Sequence, residues 1–495
     1  MQIYNTTVFL FFVASCIANA QDALDLLFDR QGESGIIGGS PFAGFEESIM
    51  TIHKQDFPSD IDQSSLTIRF KSTIDNIYEE NRSDELTHAL QQSSRAADVY
   101  TPLAVMGLPA ALRVNMHSHY TRGAFPLISS QSFEYRSETG NLTVGIIFPV
   151  SDAMNWSIES GQNIKDKSIS PNYEIGFSYQ RPEVTTKVKI KNRTHPQFFM
   201  VKISGIEGIL PFDFLQRGSE ISFVVPLKNF LLQLNIHDYF LFPIPHFSRN
   251  YETRFSPRGN GYSFAGNVLL TMSTKLTGLF TFHAESLEGK GTFSSRYSSY
   301  GSLNTFRTKT ASVQLGIKYS ARELLEVVSD IKWQETGGNA AGSVENWPFV
   351  GIEQLSFSRG YFTGEGSIRL LQFHTGGVFS SGRNIYPGLG INFIHVRTNL
   401  HAETWQSRFL SLGERNRQVI EFPFDELDGI VVSGGIKTII GNCNLVYSLS
   451  QVIPLRVIRK EQMQEIKQPG TIIQTSAIAQ GSGGQFHQLS TSFGL

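Results

Sequence analysis

Cysteine, charge and long apolar runs are all scarce in this chain of 495 residues, and each scarcity excludes something. There are 2 cysteines, Cys16 and Cys443. With so few thiols, disulfides are not the stabilising device, and a zinc-thiolate site is excluded. Cys443 reads as a buried, inert thiol. Charged residues make up only 17% of the chain, against about a quarter in average soluble domains. A soluble protein of this length covers its surface with more charge. The formal charge of -2 is close to neutral, so no nucleic-acid partner is expected. After residue 20, no stretch approaches the ~18 uninterrupted apolar residues of a spanning helix. The run from Phe223 to Ile236 is broken by Pro226, Lys228, Asn229 and Gln233.

Aromatic residues, by contrast, reach 12%, with 38 Phe and 16 Tyr. A lipid-facing surface cannot carry charge, which costs roughly 2–4 kcal/mol per residue at the bilayer midplane. Low charge without a spanning helix leaves one membrane architecture, a closed sheet, because only that satisfies every backbone group otherwise.

The N-terminus points to export. An apolar run, Val8 to Val13, leads to Ala18-Asn19-Ala20, a small-x-small pattern followed by Gln21 and Asp22. Residues 1–20 therefore read as a signal peptide, although no Lys or Arg precedes the run. A second cleavage competes. Val13-Ala14-Ser15-Cys16 resembles a bacterial lipoprotein lipobox, which would leave Cys16 lipidated. The acidic-polar residues directly after Ala20 favour the first site.

Residues 21–100 form an N-terminal segment, a possible plug or periplasmic lead-in. It holds glycine-bearing stretches at 32–39 and 42–45 and a polar helical stretch, with Ser83 as N-cap and Leu86, Ala89 and Leu90 at helical spacing. Residues 101–495 change to a period of two. Leu112, Val114 and Met116 alternate with Arg113, Asn115, His117 and His119. Tyr173, Ile175, Phe177 and Tyr179 alternate with Glu174 and Gln180, among others. Leu232, Leu234 and Ile236 alternate with Gln233, Asn235 and His237, and Leu315, Ile317 and Tyr319 with Gln314 and Lys318. The polar members of these pairs are the candidates for a lumen-facing surface. Turn chemistry is read at Ser151-Asp152, Ser170-Pro171-Asn172, Pro257 to Gly261, Gly337-Gly338-Asn339 and Gly481 to Gly484.

The fold expected is all-β, a transmembrane antiparallel barrel of roughly 14–16 strands, each about 9–11 residues long. Tyr120, Tyr179, Tyr239, Phe240, Tyr262, Tyr319, Trp333 and Trp405 read as interfacial girdle residues. No repeat of fixed period is present, which counts against a propeller or β-helix.

At the C-terminus, His487, Leu489, Thr491, Phe493 and Leu495 alternate up to the last residue. This resembles the terminal strand of bacterial outer-membrane proteins, which the barrel-assembly machinery reads. Those proteins usually end in Phe or Trp, whereas this chain ends in Leu495. A second resemblance lies between Trp347 and Glu403. Gly351-Ile352-Glu353 and Ile385 to Phe393, with Leu315 to Tyr319 and Val327 to Trp333 before them, resemble late strands of the FadL-like long-chain fatty-acid transporters. It covers under a quarter of the chain. That family implies an N-terminal hatch, a 14-strand barrel and a hydrophobic substrate.

Candidate chemistry is thin. His117-Ser118-His119 could chelate a divalent ion from one strand face, but no third ligand is near in sequence. The Gly-Gly pairs at 337 and 376 lack a phosphate-loop ending, and neither a nucleophile elbow nor a zinc-protease helix is present. Asp330 or Ser118 could join His117 or His237 only through tertiary proximity. No catalytic residue, metal or cofactor is therefore expected. Lys187, Lys189 and Lys191 share one strand face; a positive pore wall and a simply solvated strand are both open, with the second favoured. The function expected is passage of a small or hydrophobic solute across a bacterial outer membrane, with outer-membrane lipids and the assembly machinery as partners. A structural or secretion-linked barrel is the alternative, and an outer-membrane hydrolase or a soluble periplasmic β-protein are further ones.

Overall fold

The computed structural model describes residues 65–69, 74–76, 89–105, 108–127, 131–151, 153–163, 172–195, 198–203, 206–211, 214–243, 253–295, 299–321, 325–346, 358–380, 384–408, 415–421, 424–441, 443–459, 473–474 and 485–493. The expected signal peptide, both cleavage sites, the 32–45 glycine stretches, Gly481 to Gly484 and Leu495 lie outside these.

Among the described residues every regular element is a strand. The first are β1 (Ser65–Arg69), β2 (Ile74–Asn76), β3 (Ala89–Val105), β4 (Leu108–Leu127), β5 (Gln131–Ser151) and β6 (Met154–Asn163). Next come β7 (Asn172–Arg181), β8 (Val184–His195), β9 (Phe198–Ile203), β10 (Ile206–Pro211), β11 (Phe214–Leu227) and β12 (Phe230–Pro243). The longest follow: β13 (Thr253–Thr271), β14 (Leu276–Ser295), β15 (Ser299–Ala321), β16 (Leu325–Asn346), β17 (Ser358–Phe379) and β18 (Ile385–Arg408). The last are β19 (Arg415–Glu421), β20 (Phe424–Ile440), β21 (Cys443–Arg459), β22 (Ile473–Gln474) and β23 (Gln485–Phe493).

All belong to one sheet of 23 strands. The wall is an antiparallel meander from β3 to β8, then β11 to β18, then β20, β21 and β23. The hairpin β9–β10 and the short β19 and β22 add to its rim. β1 pairs with β3 and β2 with β23, so the stretch holding both bridges the first and last wall strands. The sheet thus curls back on itself as a barrel.

Its two ends differ. At one end the wall strands are joined by two to five residues, as at 182–183, 228–229 and 380–384, whereas the longest connections, 164–171, 244–252 and 347–357, fall at the other. Gly441 has φ 57° in the β20–β21 turn, a left-handed conformation that glycine adopts without steric cost.

The polarity of the sheet is inside-out relative to a soluble protein. Many large apolar side chains are exposed, Leu315 (53%), Leu389 (66%) and Ile436 (51%) among them, while Glu174, Gln233, Asp330, His374 and Asn392 are buried. Period-two alternation puts these sets on opposite faces of the same strands. On β15 the exposed face runs Tyr319, Ile317, Leu315, Val313, Ala311 and then changes to Lys309 and Arg307. β17 changes likewise from Phe373 and Leu371 to Arg369 and Glu365, and β13 from Phe264 and Tyr262 to Asn260 and Arg258. The apolar band therefore starts at the tight-turn end and stops at a common level. From Tyr319 to Ala311 the strand rises roughly 27 Å, or roughly 21 Å of height at a tilt of ~40°, close to the ~25 Å apolar band of a membrane barrel.

Several expectations need correction. Strands β13 to β18 have 19–24 residues, not 9–11. The sheet does not end where the apolar band does; pairing continues with charged, solvated outer faces. The glycines of Pro257 to Gly261 and of Gly337-Gly338-Asn339 lie within β13 and β16, not in turns. A Cβ at Gly259 or Gly338 would overlap a backbone carbonyl of the next strand, so close approach explains these glycines. Ala89 and Leu90 open β3 rather than continue a helix, because β4 supplies their pairing partners. The wall consequently includes Ala89 and extends before residue 101, and the described parts of 21–100 are strands.

Candidate functional site

The face opposite the apolar band holds the chemistry. Its polar residues come from alternate positions of neighbouring strands, and register brings them side by side.

On β4, Arg113 Nη1 donates to Glu159 Oε1 of β6 at 3.4 Å, above Gly145 of the strand between. Asn115 is half-buried, and its carbonyl accepts from Thr143 Oγ1 at 3.4 Å. His117 and His119 sit opposite Asn141 and Thr139 in the β4–β5 register, but their side chains lie outside the described residues. Among the described residues no cluster of three metal-ligating side chains occurs.

Glu174 is buried and pairs with Lys189, and Lys191 pairs with Glu220. The three lysines of β8 thus face the polar side, where Lys189 and Lys191 are mostly buried, rather than standing solvated. Carboxylates on both adjoining strands thus offset the charge of Lys189 and Lys191.

Gln180 is half-buried near the β7–β8 turn, and its backbone N–H donates to the Ala153 carbonyl at 2.8 Å. Gln233 is buried and accepts from Asn267 Nδ2 at 3.3 Å. Asn235 stands opposite Ser222 and Ala265, and His237 opposite Glu220. The His237 ring lies 4.9 Å from that of Tyr239. Gln314 Nε2 donates to Asp330 Oδ1 at 2.8 Å, and Lys318 lies 3.4 Å from Glu326.

The densest cluster was missed in sequence. Asp330 of β16 meets His374 of β17, Oδ2 to Nδ1 at 2.7 Å, and His374 is fully buried. The partners anticipated for Asp330 were His117 or His237; strand order puts neither next to β16, whereas β17 is its neighbour. Asn392 of β18 stands opposite His374, is fully buried, and neither side-chain polar atom has a hydrogen-bond partner. Gln334 Oε1 is likewise buried without one. Further round, Ser433 and Ser450 share a hydrogen bond of 2.8 Å. His374 was legible in principle: it alternates with the apolar Leu371 and Phe373 as Gln233 does with Leu232 and Leu234.

Two girdle expectations also change. Tyr239 is buried on the polar face, where its hydroxyl donates to Glu285, and Trp405 is half-buried beyond the apolar band. Tyr262 and Trp333 sit at the upper edge of the band, exposed. At that edge the outer face carries an ion pair, Arg369 to Glu335 at 3.0 Å, and a hydrogen bond between His395 Nδ1 and Asp428 Oδ1 at 2.6 Å.

No family model matches the chain, and no curated protein matches it in sequence. Among solved structures it is similar to a variant of the ferric enterobactin receptor of Pseudomonas aeruginosa, at 8% identity and a TM-score of 0.37, covering 88% of this chain and 80% of the other. The copper transporter OprC aligns at 7% identity and a TM-score of 0.36, over 88% and 81%. OmpT, an outer membrane protein of Vibrio cholerae, in its trimer form aligns at 9% identity and a TM-score of 0.32, over 78% and 99%. Similarity at this level assigns neither an activity nor a ligand.

Proposed function

We propose that this chain is an exported outer-membrane barrel that lets a small or hydrophobic solute cross the membrane, without catalysing a reaction. The observation that carries this reading is the opposition of the two faces. A band of exposed Leu, Ile, Val and Phe rings the sheet, while Glu174, Gln233, Asp330, His374 and Asn392 lie on its other side. That arrangement is costly in water and favourable in lipid, where exposed apolar side chains replace hydrocarbon contacts. The polar face, including Arg113, Asn115, His117, His119, Glu174, Gln180, Gln233, Asn235, His237, Gln314 and Lys318 by strand register, is then the lumen wall. The tight turns fit the periplasmic side and the longer connections the cell surface. The FadL-like resemblance adds a hydrophobic substrate to this reading.

The test is fractionation followed by reconstitution. The mature protein should partition with outer membranes, need detergent, and change gel mobility on boiling. In liposomes it should raise the uptake of small uncharged solutes above that of empty vesicles. Recovery as a detergent-free soluble protein sinks the membrane reading. Membrane insertion with no uptake of any solute leaves a structural barrel.

A further inference from the structure

Near the tight turns several lumen-facing residues are apolar and meet although their strands are not all neighbours, with the Lys318–Glu326 ion pair beside them on the same face. Leu279 of β14, Val328 of β16 and Val446 of β21 form one buried cluster. Leu231 of β12, Leu269 of β13 and Val378 of β17 pack against it. β21 is separated from β16 in the sheet by β17, β18 and β20, so Val446 reaches the cluster across the interior rather than along the sheet. Val328 has no exposed surface and Leu279 only 3%. Two residues further along each strand, the same face turns polar: Gln233 after Leu231, Asn267 before Leu269, Thr281 after Leu279, Asp330 after Val328, Ser448 after Val446. Beyond this polar layer the same face carries a second apolar group, Leu370, Ile394 and Val431.

We propose that Leu279, Val328 and Val446 form an apolar constriction that closes the lumen at the tight-turn end and selects for uncharged or hydrophobic solutes; this rests on the reading of the chain as a membrane barrel. An ion passing between these packed aliphatic side chains loses hydration that they cannot replace, so the contact between them stays dry and resists conduction. An apolar solute loses no such hydration and can part the side chains, whose contacts are dispersion alone. The polar layer directly beyond, Gln233–Asn267 and Gln314–Asp330–His374, holds water up to the boundary. The barrel wall is then its own closure, whatever residues 21–60 do.

The experiment compares single-channel conductance in planar bilayers for the full-length mature chain, Val328→Ser/Val446→Ser, and the outer-face control Thr375→Ser. Heat-dependent gel mobility confirms that each has assembled. The intact chain and the control should show little or no potassium chloride conductance, and the serine pair at least tenfold more. Large conductance in the intact chain, or an assembled serine pair as silent as the parent, overturns the constriction while leaving the membrane reading intact. Absence of heat-dependent mobility in the intact chain would instead remove the barrel reading itself. If the serine pair does not assemble, proximity decides: Val328→Cys/Val446→Cys in a Cys443→Ser background should be joined by a short bismaleimide in outer membranes. Failure to join them would place the two walls apart and overturn the proposal.

Discussion

The Tyr239 hydroxyl donates to Glu285 Oε1 at 2.6 Å, reaching from β12 across β13 to β14. Gly261 of the intervening strand makes this possible, because a Cβ there would overlap the tyrosine ring. Tyr239 is almost fully buried, so the bond satisfies a hydroxyl inside the wall and fixes three strands in register. Tyr239→Phe should lower stability by about 1.5–3 kcal/mol, the range for a hydrogen bond to a charged group. Gly261→Ala should cost more, since it evicts the ring. Urea unfolding in detergent micelles, with Tyr262→Phe as an exposed control, checks the order; equal midpoints for all three would show the bond to be idle.

The buried pair Asp330–His374 invites a double-mutant cycle. Asp330→Ala leaves a fully buried imidazole without its Nδ1 partner and strips Gln314 of its acceptor. The single change should cost about 1–3 kcal/mol for each group left unpaired. His374→Leu/Asp330→Leu together should cost less than the sum of the singles, with a coupling of about 0.5–3 kcal/mol. Strict additivity would mean that the two residues do not interact.

Asn392 makes the opposite forecast. Its amide is fully buried with no hydrogen-bond partner, a state costing about 1–3 kcal/mol. Asn392→Leu, close in volume, should therefore raise the temperature at which boiling-type mobility appears on gels. If the amide serves a passing solute, liposome uptake should fall in the same variant. A lower transition temperature would show that the amide is satisfied in the membrane.

The outer band gives a positional prediction. Val144 and Ile175 are exposed apolar residues within it, whereas Gln180 lies on the polar face. Val144→Arg and Ile175→Arg should each destabilise by roughly 2–4 kcal/mol if they lie near mid-depth, and lower the assembled fraction. Gln180→Arg should assemble normally. Above the band edge, Arg369→Leu should be neutral, since that ion pair is solvated. Equal yields of all four variants in heat-resistant form would show that the faces are misassigned.

Local order was legible in the sequence because it depends on neighbours two residues away. Alternation at Leu112–Met116, Tyr173–Tyr179 and Leu232–Ile236 identified strands, and scarcity of charge with no apolar run long enough for a helix pointed to a sheet in lipid. Glycine was misread at 257–261 and 337–339 because the same missing side chain serves a turn and a close strand approach. Which applies depends on the neighbouring strand's carbonyl, a partner some 30 residues away in sequence at Gly259 and Gly338.

What only the tertiary structure decided are the pairs that register creates. Asp330 and His374 are 44 residues apart, and nothing local links them. Lys189 meets Glu174, and Lys191 meets Glu220, because three strands align; the sequence shows only three lysines on one face. Val446 joins Leu279 and Val328 because the sheet curls until distant strands face each other. Period two is a property of one strand's backbone and is written in its own residues. Curvature and register are sums over the whole sheet, so the residues they bring together carry no mark of one another in the chain.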